Sequence, residues 1–174
     1  MELVVLVDEF NTQIGVADKQ LVHTSQTPLH RGFSLFIFNA KKELLLTQRA
    51  LTKKTFPGIW SNTVCGHPLP NEDVITAAKR RLKDELRMSA YEYEIVKSDY
   101  MYSFTDQNGI KENEICPILV AHSNAFPRPD FSEIADWKWI KWEIFLVEAE
   151  SNSSHYSPWS IEEAKIIAQK NLFV

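Results

Sequence analysis

Gly66-His67-Pro68-Leu69-Pro70-Asn71-Glu72-Asp73-Val74-Ile75-Thr76-Ala77-Ala78-Lys79-Arg80-Arg81-Leu82-Lys83-Asp84-Glu85-Leu86-Arg87-Met88 is the stretch whose reading decides the fold. It is a loop that leads into a helix starting near Glu72. Asn71 is a suitable N-cap, and Glu72 and Asp73 favour the positive helix start. Ile75, Ala78, Leu82 and Leu86 fall on one face, and Lys79 to Lys83 supply a basic side. Arg81 stands four residues before Glu85, a spacing that by itself needs nothing more than an ion pair on an amphipathic helix.

Strand patterns lie on both sides of this helix. Before it, Val4 to Val7 reads as a strand and Asn11 to Gly15 as the turn of a hairpin. Phe33 to Phe38 reads as a buried strand that turns at Asn39-Ala40-Lys41-Lys42 into a second, Glu43 to Gln48. A basic loop through Lys53 and Lys54 precedes a short strand, Trp60 to Cys65. After the helix, Tyr91 to Phe104 and Glu112 to His122 read as two strands around the Asn108-Gly109 turn signal. Pro127 and Pro129 break the chain. Asp136 to Ile140 is a further strand, Trp142 to Ala149 a short helix, and Asn152 to His155 loop. Ser157-Pro158 opens the last helix as cap and first position. This order predicts an α+β fold (α/β/α), a mixed β-sheet flanked by helices, with residues 1–174 as a single domain.

Composition narrows the class. The formal net charge of -4 makes a nucleic-acid binder unexpected. A locally basic pocket for an anionic small molecule stays open. No stretch approaches the roughly 18 apolar residues of a membrane span. The start, Met1 to Asp8, lacks the basic region of a secretory signal, and Lys170 to Val174 carries no lipidation or peroxisome signal. Two cysteines, Cys65 and Cys116, are too few for a secreted disulfide scaffold, so both are expected reduced. The cytoplasm is the expected location. Monomer and homodimer both remain open.

Three histidines and two carboxylates, His23, His30, His67, Glu112 and Glu114, are able to complete a site for a divalent ion. Glu112 and Glu114 are two apart on a predicted strand and share a face. Spacing alone also allows surface histidines and a solvated acidic face.

Two runs carry a resemblance. The stretch from Gly66 to Met88 resembles the signature of the Nudix superfamily, in which a loop and helix hold metal against a diphosphate. Arg81 stands where hydrolytic members carry a glutamate, Asp84 replaces a second glutamate, and Arg87 replaces the usual glycine. The longer pattern is more specific: His23 and His30, Arg49 through Asn62-Thr63-Val64-Cys65-Gly66-His67-Pro68, then Glu112-Asn113-Glu114-Ile115-Cys116-Pro117. It looks like the type I isopentenyl-diphosphate delta-isomerase family of the Nudix fold, over about residues 3 to 169.

The resemblance implies a set of roles. The family interconverts isopentenyl and dimethylallyl diphosphate, for isoprenoid biosynthesis, through a tertiary carbocation. By motif, Cys65 and Glu114 are the two proton-transfer groups on opposite faces of the substrate. Tyr102 supports proton delivery beside Glu114, and the ring of Trp159 faces the cation. A cation over a desolvated indole gains about 2 kcal/mol. Without the family, Tyr102 would read as strand packing and Trp159 as a helix anchor. His23, His30, His67, Glu112 and Glu114 would hold one metal, Mn²⁺, Zn²⁺ or Mg²⁺. A second ion, Mg²⁺, arrives with the diphosphate and meets Glu85 and the main-chain carbonyl of Cys65. Lys19, Arg49, Lys53 and Arg81 match the diphosphate-binding positions. Cys116, His122 and His155 receive no chemistry. An unperturbed thiol near pKa 8.5 is able to donate, and electropositive surroundings would let Cys65 return as thiolate. The rivals are a Nudix diphosphohydrolase, against which Arg81 argues, and an inactive binding domain on the same fold.

Overall fold

The structure is a computed structural model that describes residues 2–170. Met1 and residues 171–174, read above for targeting signals, lie outside the described residues.

Two sheets form the scaffold. The larger runs β12 (Ile134–Lys141), β5 (Glu43–Arg49), β4 (Phe33–Phe38), β11 (Ile118–His122), β8 (Tyr91–Lys97), with the short β6 (Trp60–Ser61) and β7 (Val64–Gly66) paired to β5 and β4. The smaller runs β2 (Gln13–Asp18), β1 (Leu3–Val7), β3 (His30–Arg31), β10 (Lys111–Ile115), β9 (Met101–Thr105). Both are mixed: β4 with β11 and β3 with β10 are parallel, the other pairs antiparallel.

Strand β4 explains the layering. All six of its residues are buried, as expected of a strand covered on both faces. Phe33, Leu35 and Ile37 pack with Ala77, Ala78, Leu82 and Leu86 of α2 (Val74–Leu86). Phe36 and Phe38 pack on the other side with Trp142 and Phe145 of α3 (Trp142–Ser151) and with Trp159 and Ile167 of α4 (Pro158–Gln169). The expected helix–sheet–helix sandwich follows from that period-2 alternation.

The structure corrects several boundaries. Asp73, not Asn71, caps α2: its carboxylate accepts from the N–H groups of Ile75 and Thr76 at 3.1 and 3.0 Å. Asn71 sits one turn earlier at φ 64°, a left-handed conformation that asparagine tolerates. Ser157 makes no capping bond, because its hydroxyl meets those of Ser61 and Ser160 at 2.9 and 2.8 Å. Residues 153–155 form a 3-10 turn.

The segments read as single strands, Tyr91 to Phe104 and Glu112 to His122, are each two strands in different sheets. The first divides at 98–100. The second divides at Cys116-Pro117, where proline removes a ladder donor. Gly32 makes the same step between β3 and β4, and its N–H donates to Ile115 O at 2.9 Å. The sheets part company at one level of the molecule, and the site described next draws residues from both.

Candidate active site

A cavity of about 410 Å³ is lined from both sheets and from three of the helices. The larger sheet contributes Cys65 and Arg49, and the smaller contributes Tyr102, Glu112 and Glu114. Lys19 of α1 (Lys19–Val22), Arg81 of α2 and Trp159 of α4 close it, together with His23, Lys53 and His67 from the connections. His30 lies just behind the wall, fully buried. Glu85 faces a small adjoining space that Cys65 and Lys53 also touch.

The histidines and carboxylates converge. The ligand atoms of His23, His30, His67, Glu112 and Glu114 all lie within 4.8 Å of one another, and all five residues are buried. Parallel pairing sets part of this: Glu114 is the register partner of His30 across β3 and β10. Main-chain carbonyls aim two of the rings. His30 Nδ1 stands 2.9 Å from Pro28 O and His23 Nδ1 3.2 Å from Lys19 O, so each Nδ1–H can donate outward. That leaves each Nε2 lone pair pointing into the cluster. His23 Nε2 and Glu112 Oε2 face each other at 3.1 Å and have no other polar partner among the described residues. Buried polar atoms left short of partners are costly. Sparsely partnered donor atoms, outward-tethered rings and a nitrogen–oxygen donor set fit a divalent ion.

Glu114 is the hub. Its Oε1 stands 2.9 Å from His67 Nε2 and 3.4 Å from His30 Nε2, and its Oε2 accepts from Tyr102 at 3.0 Å. Burial works against its charge, but the two histidines hold its carboxyl well below the usual range. Burial pushes His67 down to about 4, whereas for His30 the bond to Glu114 outweighs burial and raises it. Burial and the Glu114 charge raise the Tyr102 phenol, which stays protonated. Gly32 makes the arrangement possible: a Cβ there would sit 1.9 Å from Glu114 Oε2. Glu112 is held separately by the Thr55 hydroxyl at 2.5 Å.

Cys65 keeps a small exposed surface on the wall. Its thiol donates to Asn62 Oδ1 at 3.1 Å and lies 3.6 Å from Ser34 Oγ. Burial, aided by the charge of Glu163, pushes it up to about 12. The electropositive setting expected to favour a thiolate does not prevail: Arg49 acts in that direction and is outweighed. Trp159 stacks on Tyr102 with centroids 5.7 Å apart, and the Arg49 guanidinium lies 5.7 Å from its ring centroid.

The four expected cations share the cavity, and each already has a partner. Lys19 binds Glu2 at 2.9 Å, Lys53 binds Glu133, and Arg81 binds Glu85 at 2.7 Å and approaches Glu133 at 3.4 Å. Arg49 differs in donating to the carbonyls of Thr55 and Phe56, so it shapes the loop as well as lining the cavity. The structure adds residues that received no role from the sequence: Gly32, Thr55, Asn62, Glu2 and Glu133. Gly32, a lone glycine between strand patterns, carried a legible signal of close backbone approach. The others carried none.

Comparison with known proteins places these features. The model of the NUDIX domain family matches residues 28–160. The chain is 40% identical over 166 residues to the isopentenyl-diphosphate Delta-isomerase of Frankia alni, covering 95% of this chain and 86% of that protein. It is 43% identical over 159 residues to the protein of the same name from Saccharopolyspora erythraea, covering 91% and 82%. Among solved structures, DR0079 from Deinococcus radiodurans superposes with a TM-score of 0.74 at 18% identity over 94% of this chain and 98% of that one. The MutT protein of Methanosarcina mazei Go1 does so at 0.67 and 16% identity over 84% and 98%. Those two likenesses speak for the fold alone.

Proposed function

Because the chain belongs to the NUDIX domain family and, within it, to the isopentenyl-diphosphate Delta-isomerases, we propose that its cavity moves the double bond of isopentenyl diphosphate with Cys65 and Glu114 as the proton-transfer pair. The enzyme interconverts isopentenyl and dimethylallyl diphosphate. This requires an acid, a base and a dry pocket that tolerates a tertiary cation. The observation that carries the reading is the placement of Cys65 and Glu114 on one cavity from two different sheets, so that a substrate between them meets one group on each face.

Their resting protonation states allow complementary roles, while both shifts leave Cys65 a weaker acid and Glu114 a weaker base than the free groups. Cys65 rests as a thiol and Glu114 as a carboxylate. In the direction of dimethylallyl diphosphate, the thiol gives a proton to the terminal carbon and the Glu114 carboxylate takes one from the allylic carbon. The reverse direction runs the same transfers backwards. Tyr102 donates to Glu114 Oε2 and orients that carboxylate. Trp159 presents an electron-rich ring to the cation.

His23, His30, His67, Glu112 and Glu114 would hold one divalent ion, for which Mn²⁺, Zn²⁺ and Mg²⁺ are all suitable. Bound there, the ion would fix the Glu114 carboxylate and adjust its basicity. Lys19, Arg49, Lys53 and Arg81 take the diphosphate, and Glu85 with the Cys65 carbonyl receives the Mg²⁺ that accompanies it. Arg81 supports isomerisation over hydrolysis, since it places a cation bound to Glu85 on the helix where a further acidic ligand would be needed.

We read residues 1–174 as one domain, since β1 and β2 join the same sheet as β3 and β10. A reducing, cytoplasmic setting suits the two free cysteines. Among the described residues no helix is long and apolar enough to cross a membrane.

The deciding assay supplies isopentenyl diphosphate to purified protein with and without chelator and follows dimethylallyl diphosphate. Cys65→Ala and Glu114→Gln should each lower turnover by at least about 10³-fold with the fold intact. Near-normal turnover by Cys65→Ala would remove the proposed role. Sustained phosphate release without a double-bond shift would replace isomerase by hydrolase.

A further inference from the structure

We propose that Asn62 is a positioning residue for this reaction, its single side-chain oxygen holding the Cys65 thiol and the Trp159 indole in fixed relation to each other. The proposal rests on the roles given above to those two residues. Asn62 lies between β6 and β7 and is 1% exposed. Its amide orientation is determined by its surroundings. Nδ2 donates to Leu35 O at 3.2 Å and Val64 O at 3.1 Å, and carbonyl oxygens only accept, so the oxygen must point the other way. There it receives three donors: Ser61 Oγ at 2.8 Å, Cys65 Sγ at 3.1 Å and Trp159 Nε1 at 3.3 Å.

The indole N–H has no other role available, being a donor only, and Trp159 is 1% exposed. Asn62 therefore ties a proton-transfer group on a strand to a cation-facing ring on a helix that lies 97 residues beyond Asn62 in the chain. The two Nδ2 bonds anchor that joint to β4 and β7, whose Leu35 and Val64 side chains pack in the core with α2. Asn62 does not line the main cavity, so it acts through its two neighbours and not on the substrate. Its side chain makes no hydrogen bond to Lys19, Arg49, Lys53 or Arg81, which take the diphosphate, and its nearest link to them is the Arg49 guanidinium 5.7 Å from the Trp159 ring, so the larger effect is expected on turnover and the smaller on affinity.

The test is steady-state kinetics on Asn62→Ala, with thermal melting as a control for folding. A misplacement of about 1 Å at reacting atoms costs about 10²-fold in rate. The expected result is a fall in kcat of about 100-fold with KM for isopentenyl diphosphate held within about threefold. Should Asn62→Ala not fold, Asn62→Leu, which keeps the volume and removes the accepting oxygen, is measured for the same split. A second arm uses Trp159→Phe, which keeps an aromatic ring but removes the N–H together with the rest of the five-membered ring of the indole. In that background Asn62→Ala should cost at least about threefold less than in the wild type, because part of its work is already gone. A kcat within threefold of wild type, equal changes in kcat and KM, or strict additivity with Trp159→Phe would each overturn the proposal. Wild-type protein that fails to isomerise at all would overturn the parent reading instead, and the two failures are told apart by that control.

Discussion

At the scale of single residues, the chemistry is set by burial more than by charge. Cys65, pushed up to about 12, is almost wholly thiol at neutral pH. Iodoacetamide should therefore modify Cys65 in metal-free protein at a rate that climbs about tenfold per pH unit from 7 to 10 without levelling. Mass spectrometry of the modified peptide measures this, and levelling near pH 8.5 would mean an unshifted thiol. Glu163 offers a second case. It is fully buried on α4, one of its oxygens has no partner, and burial lifts its carboxyl well above the usual range. The folded state thus keeps a proton that the unfolded chain loses above about pH 4.3. Its contribution to stability is complete below that pH and is lost as pH rises through the folded value. Glu163→Gln mimics the neutral form, so it should melt several degrees above wild type at pH 8 and no higher at pH 4, as read by calorimetry. The residue types of the site were legible because cysteine, histidine and glutamate advertise their chemistry. Asn62 and Thr55 were not, because their roles come from contacts that no local spacing encodes.

At the scale of elements, α2 carries the sharpest lesson. Arg87 occupies the position where a helix-ending glycine is common, and it adopts φ 53° while its N–H donates to Lys83 O at 3.0 Å. The helix keeps its 13 residues and its terminal bond, so the substitution leaves the element undistorted and instead places strain in one left-handed arginine. Such a conformation costs roughly 1 kcal/mol relative to glycine. Arg87→Gly should raise Tm by about 2–4 °C while leaving turnover unchanged. The helix itself was readable from its apolar face. Its cap was misplaced by two residues because Asn71 and Asp73 are both good caps, and only the turn geometry chooses between them. The divided strands were unreadable for a different reason: the pattern of alternation continues through Ser98-Asp99-Tyr100 and through Cys116, and the change of sheet is a tertiary event.

At the scale of the whole molecule, the cluster of five buried ligands links metal binding to folding. His23 Nε2 and Glu112 Oε2 are buried with only each other as polar partners, at 3.1 Å. Anything that binds only the folded state stabilises it by mass action, about 2.7 kcal/mol at a concentration 100 times the dissociation constant. Stripping metal with a chelator should lower Tm by several degrees and abolish turnover, and adding Mn²⁺, Zn²⁺ or Mg²⁺ back in turn would rank the three. An unchanged Tm in chelator would argue against a resident ion. The sandwich was legible from the sequence because β4 and α2 declare their apolar faces. The cavity was not, because it exists only where the two sheets separate.

The carboxylates of Glu2 and Glu133 give that cavity a character of its own. They already hold Lys19, Lys53 and Arg81 before any substrate arrives. An incoming diphosphate does not enter an open positive field; it evicts anions that are tethered to the protein. Capture is then an exchange of partners in which the number of ion pairs changes little. Such a site discriminates by valence, since an anion with one charge cannot replace two tethered carboxylates at once. Chloride, with its single charge, would compete poorly for such a site.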